Sequence, residues 1–323
     1  MLHDSPESAL IEGSMQSGGE TPRLFPPLHA IQCLTLTRGI QFVEFLTENR
    51  IPIGGWAKAF VDWLTTNFEL FFDQLANLLS GIISVLLYIL QTPHPLIVIV
   101  IVTALAWWFR RSIGIAAFTC LGLLLIVNQG YWQETTETLA LVLAASFVSM
   151  AVGVPLGIVA ARRAWVYSIM RPILDLMQTI PTFVYLIPAL ILFGLGMVPG
   201  LIATVIFAIP APIRLTRLGI ISTPPSLVEA AESFGATPWQ VLRKVEIPFA
   251  MPQIMAGLTQ TIMLSLSMVV IAALVGADGL GVPVLRALNT VNIARGFESG
   301  LCIVILAIVL DRLFRTSDEG EGA

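Results

Sequence analysis

Seven apolar stretches, each close to the length that crosses a hydrocarbon layer, constrain the fold more than any other feature of the chain. They cover 96–109, 113–127, 138–161, 172–193, 198–218, 252–275 and 300–313. Within lipid a backbone N–H or C=O finds no water, so a spanning stretch of this kind satisfies itself as an α-helix. The expected fold class is therefore all-α, a polytopic membrane protein with about seven transmembrane helices. The first two stretches are short and suit a tilted hairpin. Composition agrees: of 323 residues 56% are hydrophobic and 12% charged, more apolar surface than a water-soluble core of this size could hide.

The flanks differ in kind. Residues 1–54 mix Asp4, Glu7, Glu12 and Glu20 with Gly, Ser and Pro and carry no charged-then-apolar leader, so a mobile polar tail is expected. Between 55 and 91, Phe60, Leu64, Phe68, Phe71, Leu75 and Leu79 recur at helical spacing. Lys58, Asp62, Glu69 and Asp73 lie mostly off that stripe, and Trp56 and Trp63 suit a headgroup layer. This is the pattern of an amphipathic interfacial helix, although 75–90 is apolar enough to form an extra span. Residues 92–315 make the membrane domain, and 316–323 a short tail.

The net charge of −4 says little, because sign matters loop by loop. With the chain before the first span outside, the inner segments hold Arg110, Arg111, Arg162, Arg163, Arg171, Arg214, Arg217, Arg243, Lys244, Arg312 and Arg315. Only Arg286 and Arg295 remain outside. This asymmetry puts residues 223–248 and the C-terminus on the cytoplasmic side and the N-terminus on the other. An extra span over 75–90 would move the N-terminal tail inside and leave 223–248 where it is.

That inner segment, between two apolar stretches, is polar and densely capped. Pro224 and Pro225 separate it from the preceding helix. Ser226 with Glu229 has the form of a capping box, starting a helix near Leu227, and Gly235 stands where a left-handed C-cap residue is needed. Thr237, Pro238 and Gln240 repeat the start signal, and the second helix carries Arg243, Lys244 and Glu246 before Pro248 disrupts it. A short helix, a sharp turn and another helix make a compact protrusion.

Glu229-Ala230-Ala231, Gly235 and Val245-Glu246-Ile247-Pro248, at this spacing, resemble the EAA loop of importer-type ABC transporter permeases. In that family the loop docks in a groove of the ATP-hydrolysing subunit. The resemblance implies an ATPase-coupling role for Glu229, Ala230, Ala231, Ser233, Phe234, Gly235 and Ala236, capped by Ser226 and Thr237. The family pattern more often has leucine before the closing proline and isoleucine two residues earlier; Ile247 and Val245 replace them here. Over 96–315, and notably in MRPILDLMQTIPTFVYLIPALILFGLGMVPG and in ESFGATPWQVLRKVEIPFAMPQIMAGLTQTIMLSLSMVVIAALVGADGLG, the chain is similar to permeases of glycine betaine/proline betaine ABC importers. That implies the type I importer fold, a second copy of the chain, two cytoplasmic ATPase subunits and a periplasmic substrate-binding protein in a bacterial inner membrane. Residues 1–54 are the least family-like part.

Other features supply chemistry sparingly. Pro181, Pro188, Pro199, Pro210 and Pro212 crowd the middle spans, where each removes a helix hydrogen bond. Gln178, Thr179, Pro181, Thr182 and Tyr185 are the polar or kinked points beside one break and are candidates for the pathway lining, with plain helix joining as the equal alternative. Asp175 is expected to pair with Arg171 one turn earlier. Gly153 with Gly157, and Gly196 with Gly200, have the spacing of close helix packing. After the span at 252–275 comes a turn and a short amphipathic helix, Val282 to Leu288, leaving Arg286 and Arg295 available to an acidic binding-protein surface. Its glycines lack the strand and lysine of a phosphate loop.

No G-x-x-x-x-G-K-[ST] occurs, so ATP and Mg belong to a separate subunit and the chain itself is no enzyme and binds no cofactor. Cys33, Cys120 and Cys302, like His3, His29 and His94, are scattered, which argues against a disulfide framework or metal site; nothing points to nucleic acid. The expected function is the pathway-forming subunit of an ATP-driven importer of betaine-type osmoprotectants. The alternatives are a permease for choline, carnitine or an amino acid, and an ion-coupled carrier. The carrier is disfavoured by the dearth of buried ionisable groups near the midplane.

Overall fold

The computed structural model describes residues 52–314. The expectations for the 1–51 part of the tail, for 316–323 and for Cys33, His3, His29 and Arg315 lie outside the described residues. The chain divides into two units, 1–60 and 61–323. In the first, the described residues open α1 (Ile53–Asn67), with Trp56 and Phe60 exposed.

The second unit continues α1 and adds α2 (Glu69–Gln91), α3 (Pro95–Arg110), α4 (Ile113–Asn128) and α5 (Trp132–Arg162). The 55–91 pattern is thus broken in two at Phe68 (φ −123°, ψ 23°). Just before it, the Thr65 and Thr66 hydroxyls donate to the Asp62 carbonyl and the Asn67 amide to that of Trp63, at 2.8 Å each. Among the described residues α2 is by length and composition one of four helices sufficient to cross a membrane, with α5, Met197–Ile221 and α15 (Ile293–Phe314).

Prolines shape the middle of the chain. α6 (Ala164–Thr179) and α7 (Thr182–Phe193) meet at 95° across Ile180 and Pro181. α8 (Met197–Ala208) passes into α9 (Pro210–Ile221), with Pro210 at the start of the second segment. Next come α10 (Pro225–Ser233), α11 (Pro238–Val241), a five-residue π turn (Leu242–Glu246) and α12 (Ile247–Ser267). Pro248 does not end the helix, in contrast to the expectation. The π turn widens the backbone just before it, Ile247 N–H bonding Leu242 O, and Pro248 follows in the first turn of α12 with the helix unbroken. α13 (Val269–Ala273) and α14 (Gly281–Asn289) lead to α15.

α5 is the central post. Its 31 residues make it about 46 Å long, and it packs on α9, α12, α2 and α8. A Cβ on Gly153 would stand 2.7 Å from Pro212 Cγ, and one on Gly157 2.8 Å from the Ile213 carbonyl, so these glycines do bring α5 and α9 together. Gly200 is equally tight against Ala277 and Ala272, whereas Gly196 faces open space and serves its backbone angle (φ +138°). Three buried hydroxyls in the bundle turn back on their own helices: Thr204 to Gly200 O, Thr261 to Gly257 O and Ser265 to Thr261 O. Cys302 lies in the core beside Ile262, Leu306 and Ile126. His94 caps α3 through Nδ1, accepting from Leu96 N–H.

Candidate functional site

Three polar assemblies stand out, one at each end of α5 and one along α6. At the C-terminal end, α10 closes with a Schellman turn. Gly235 (φ +79°) donates to Glu232 O at 2.8 Å and Ala236 to Ala231 O at 3.1 Å. At Thr237 the expected capping box is complete: Thr237 N–H donates to Gln240 Oε1 (2.8 Å), and Gln240 N–H to Thr237 Oγ1 (3.4 Å). Ser226 is not the cap of α10. Pro224 holds that place with extended backbone (ψ 129°), Pro225 is the first helical residue, and no side chain caps the end.

The knuckle so formed exposes its tip. Phe234 is 92% exposed, and Leu227 and Trp239 are also open, with Glu229, Ala230, Ser233 and Gly235 beside them while Ala231 and Ala236 are half-buried. Its base is anchored. Leu242 is buried with Ile220, Ala250 and Ile254, against Val154 and Ile158 of α5. Arg162, the last residue of α5, bonds Glu246 Oε2 at 2.7 Å and the Pro238 carbonyl at 3.3 Å. One guanidinium therefore holds both halves of the second helical segment to the central post. Glu246 is nearly buried, and a buried carboxylate needs such a partner. Sequence reasoning missed this pair because its members are 84 residues apart.

At the opposite end of α5, Glu134 and Glu137 meet Asp278, Arg286 and Arg295 in a polar cleft of about 500 Å³ that also takes in Tyr131 and Gln133. Burial, followed by the nearby Glu298 carboxylate, pushes the Tyr131 phenol above its ordinary value. The loop before α14 is locked on α5: Leu280 N–H donates to Thr138 Oγ1 at 2.8 Å, and a Cβ on Gly279 (φ +131°) would lie 2.6 Å from that same oxygen. Its glycines serve close approach and backbone angle. Arg286 and Arg295 are exposed, as expected, but share their cleft with three carboxylates that the sequence analysis did not connect to them.

The third assembly corrects the pairing of Asp175. Its carboxylate is held by Arg214 of α9 at 2.6 Å and not by Arg171, and the same guanidinium donates to Gln178 Oε1 at 2.9 Å. Of the other pathway candidates, Thr179 is exposed with its hydroxyl 3.5 Å from Leu176 O, Pro181 is the turn residue before α7, and Thr182 is half-buried in its first position. Tyr185 points elsewhere, packing beside Leu186, Ala203 and Met268 with its hydroxyl buried. The structure thus groups Gln178 and Thr179 on one face of α6 with Asp175 and leaves Tyr185 half-buried against a separate apolar cluster. Nearby, Arg217 lies 3.6 Å over the Tyr167 ring.

Residues 153–319 match the family described as binding-protein-dependent transport system inner membrane component. Among curated proteins the chain is similar to the glycine betaine/carnitine transport permease protein GbuB of Listeria monocytogenes, 47% identical over 81% of this chain and 94% of that protein. The glycine betaine transport system permease protein OpuAB of Bacillus subtilis is 49% identical over 82% and 93%. ProW of Escherichia coli, a glycine betaine/proline betaine transport system permease protein, is 46% identical over 81% and 74%. Among solved structures, an inward-facing MetNI methionine ABC transporter superposes with a TM-score of 0.52 at 24% identity, over 59% of this chain and 95% of that one. That likeness concerns the fold.

Proposed function

We propose that this chain, which belongs to the family of binding-protein-dependent transport system inner membrane components, forms the translocation pathway for glycine betaine and proline betaine in an ATP-driven importer. It is a transport subunit of the inner membrane and not an enzyme; its family works with an ATPase and a substrate-binding protein. The observation that carries the reading is the knuckle at 223–248, whose exposed tip is held on the end of α5 by Arg162 and Glu246. Two cytoplasmic ATPase subunits, carrying ATP and Mg, dock there on the Glu229–Ala236 stretch, and a second copy of the chain completes the pathway.

The cleft at the other end of α5 supports docking of the periplasmic binding protein, with Arg286 and Arg295 meeting acidic groups on it. Arginine placement supports a cytoplasmic C-terminus. The ends of α2 support a helix laid obliquely over the outer half of the bundle and hence a periplasmic N-terminus: Gln91 bonds Thr136 near the start of α5, and Phe72 packs edge-on against Phe193, whose neighbour Gly196 bonds Val275 beside the loop at Thr138.

The test is Gly235→Leu. A bulky residue at φ +79° unwinds the Schellman turn, so transport is lost and the ATPase no longer co-purifies, while the chain still inserts. Normal uptake would count against the docking role. Carnitine is the second candidate substrate, because one close relative bears that name; competition against labelled glycine betaine separates the two.

A further inference from the structure

The Asp175–Arg214 pair sits where a membrane chain does not ordinarily keep charge. Arg214 lies inside the Met197–Ile221 span, seven residues and so about 10 Å from its inner end. Its side chain is 35% exposed and that of Asp175 55%. Hydrocarbon is an unfavourable cover for a half-open ion pair, which favours water or protein beside it. The same face of α6 carries Gln178 and Thr179 at the three- and four-residue spacings that bring side chains together, and ends at the 95° bend. Irregular backbone at such depth also calls for protein or water beside it.

Resting on the reading given above, we propose that Asp175, Arg214 and Gln178 form a station on the pathway that takes a zwitterion of a permanent ammonium and a carboxylate by exchanging their internal ion pair for it. The chemistry is reciprocal. The solute carboxylate accepts from the Arg214 guanidinium in place of Asp175, and the methylated ammonium, which has no hydrogen to donate, lies against the freed Asp175 carboxylate. Gln178 stays on the guanidinium and holds its plane. Every charge is paired before and after, so the solute is accepted without being trapped. A cation lacking the carboxylate would leave Arg214 alone, and an uncharged solute would break the pair with nothing in return.

The experiment uses the full complex of this chain, its ATPase and its binding protein in proteoliposomes with labelled glycine betaine. No ATP-dependent uptake by the parent complex would defeat the proposed function itself. With uptake present, Asp175→Asn and Arg214→Gln each lower the maximal rate at saturating binding protein at least about tenfold, equivalent to about 1.4 kcal/mol. Rates within about twofold of the parent, a difference under about 0.5 kcal/mol, overturn the station alone. A second reading guards against misfolding: in Asp175→Cys the new thiol is labelled by trimethylammonium-ethyl methanethiosulfonate in the assembled complex, above the parent with Cys33, Cys120 and Cys302, and glycine betaine slows labelling severalfold. A thiol that is unreactive, because lipid or a second copy covers it, or whose labelling ignores glycine betaine, overturns it as well.

Discussion

Replacing Arg162 by methionine should loosen the knuckle far more than replacing its partner Glu246 by glutamine, although both remove the same ion pair. The side chains are 37% and 11% exposed. Loss of Arg162 strands a nearly buried carboxylate and also frees the Pro238 carbonyl. Breaking a fully buried pair costs about 3–5 kcal/mol; water entering where the arginine was reduces this to about 2–3 kcal/mol here. Loss of the Glu246 charge leaves Arg162 with water and the Pro238 carbonyl, at about 1 kcal/mol. Hydrogen exchange of the amides in 225–246 reads local opening directly. Protection should fall about a hundredfold in Arg162→Met and about fivefold in Glu246→Gln, with the double variant recovering part of the loss. Equal losses, or a larger one in Glu246→Gln, would refute the assignment of Glu246 as the buried, dependent member.

Gly157→Ala forces a methyl to 2.7 Å from Thr216 Cβ and 2.8 Å from a backbone oxygen that cannot swing aside; a loss of about 1–3 kcal/mol is expected, measured as a lower thermal inactivation temperature in detergent. Thr138→Val removes the acceptor of the buried Leu280 N–H and should cost about 1–3 kcal/mol, seen as faster exchange confined to residues 276–282.

What was legible in the sequence was local. The turn at Gly235 and the box at Thr237 are written in residues at most five apart, and the structure forms both as their chemistry dictates. Ser226 misled because a cap signal competes with proline: Pro225 fixes the first helical φ one residue ahead and takes over the start. Asp175 misled for a related reason, as the one-turn rule proposes the neighbour in sequence while tertiary packing of α9 on α6 delivers Arg214 from 39 residues away. The broken spans were half legible. Prolines mark where a hydrogen bond must be missing, yet whether the chain bends sharply, as at Pro181, or runs on, as through Pro155 and Pro248, depends on the surrounding backbone.

These pieces form one mechanical line. The knuckle is fixed to α5 by an ion pair and an apolar base; α5 is fixed to α9 by glycines that leave less than a methyl of slack over Pro212, Ile213 and Thr216. Arg214 lies between the last two of these contacts on α9. A close-packed interface transmits displacement with little loss, because gaps that could absorb it are absent. α6, which supplies Asp175, is joined to the same line less firmly: it packs lightly on α5 and α9 and ends in the sharp bend at Pro181. On the docking role proposed above, a push on the knuckle is expected to move Arg214 with α5 and α9 relative to Asp175, and the 2.6 Å ion pair is the contact such a shift would strain.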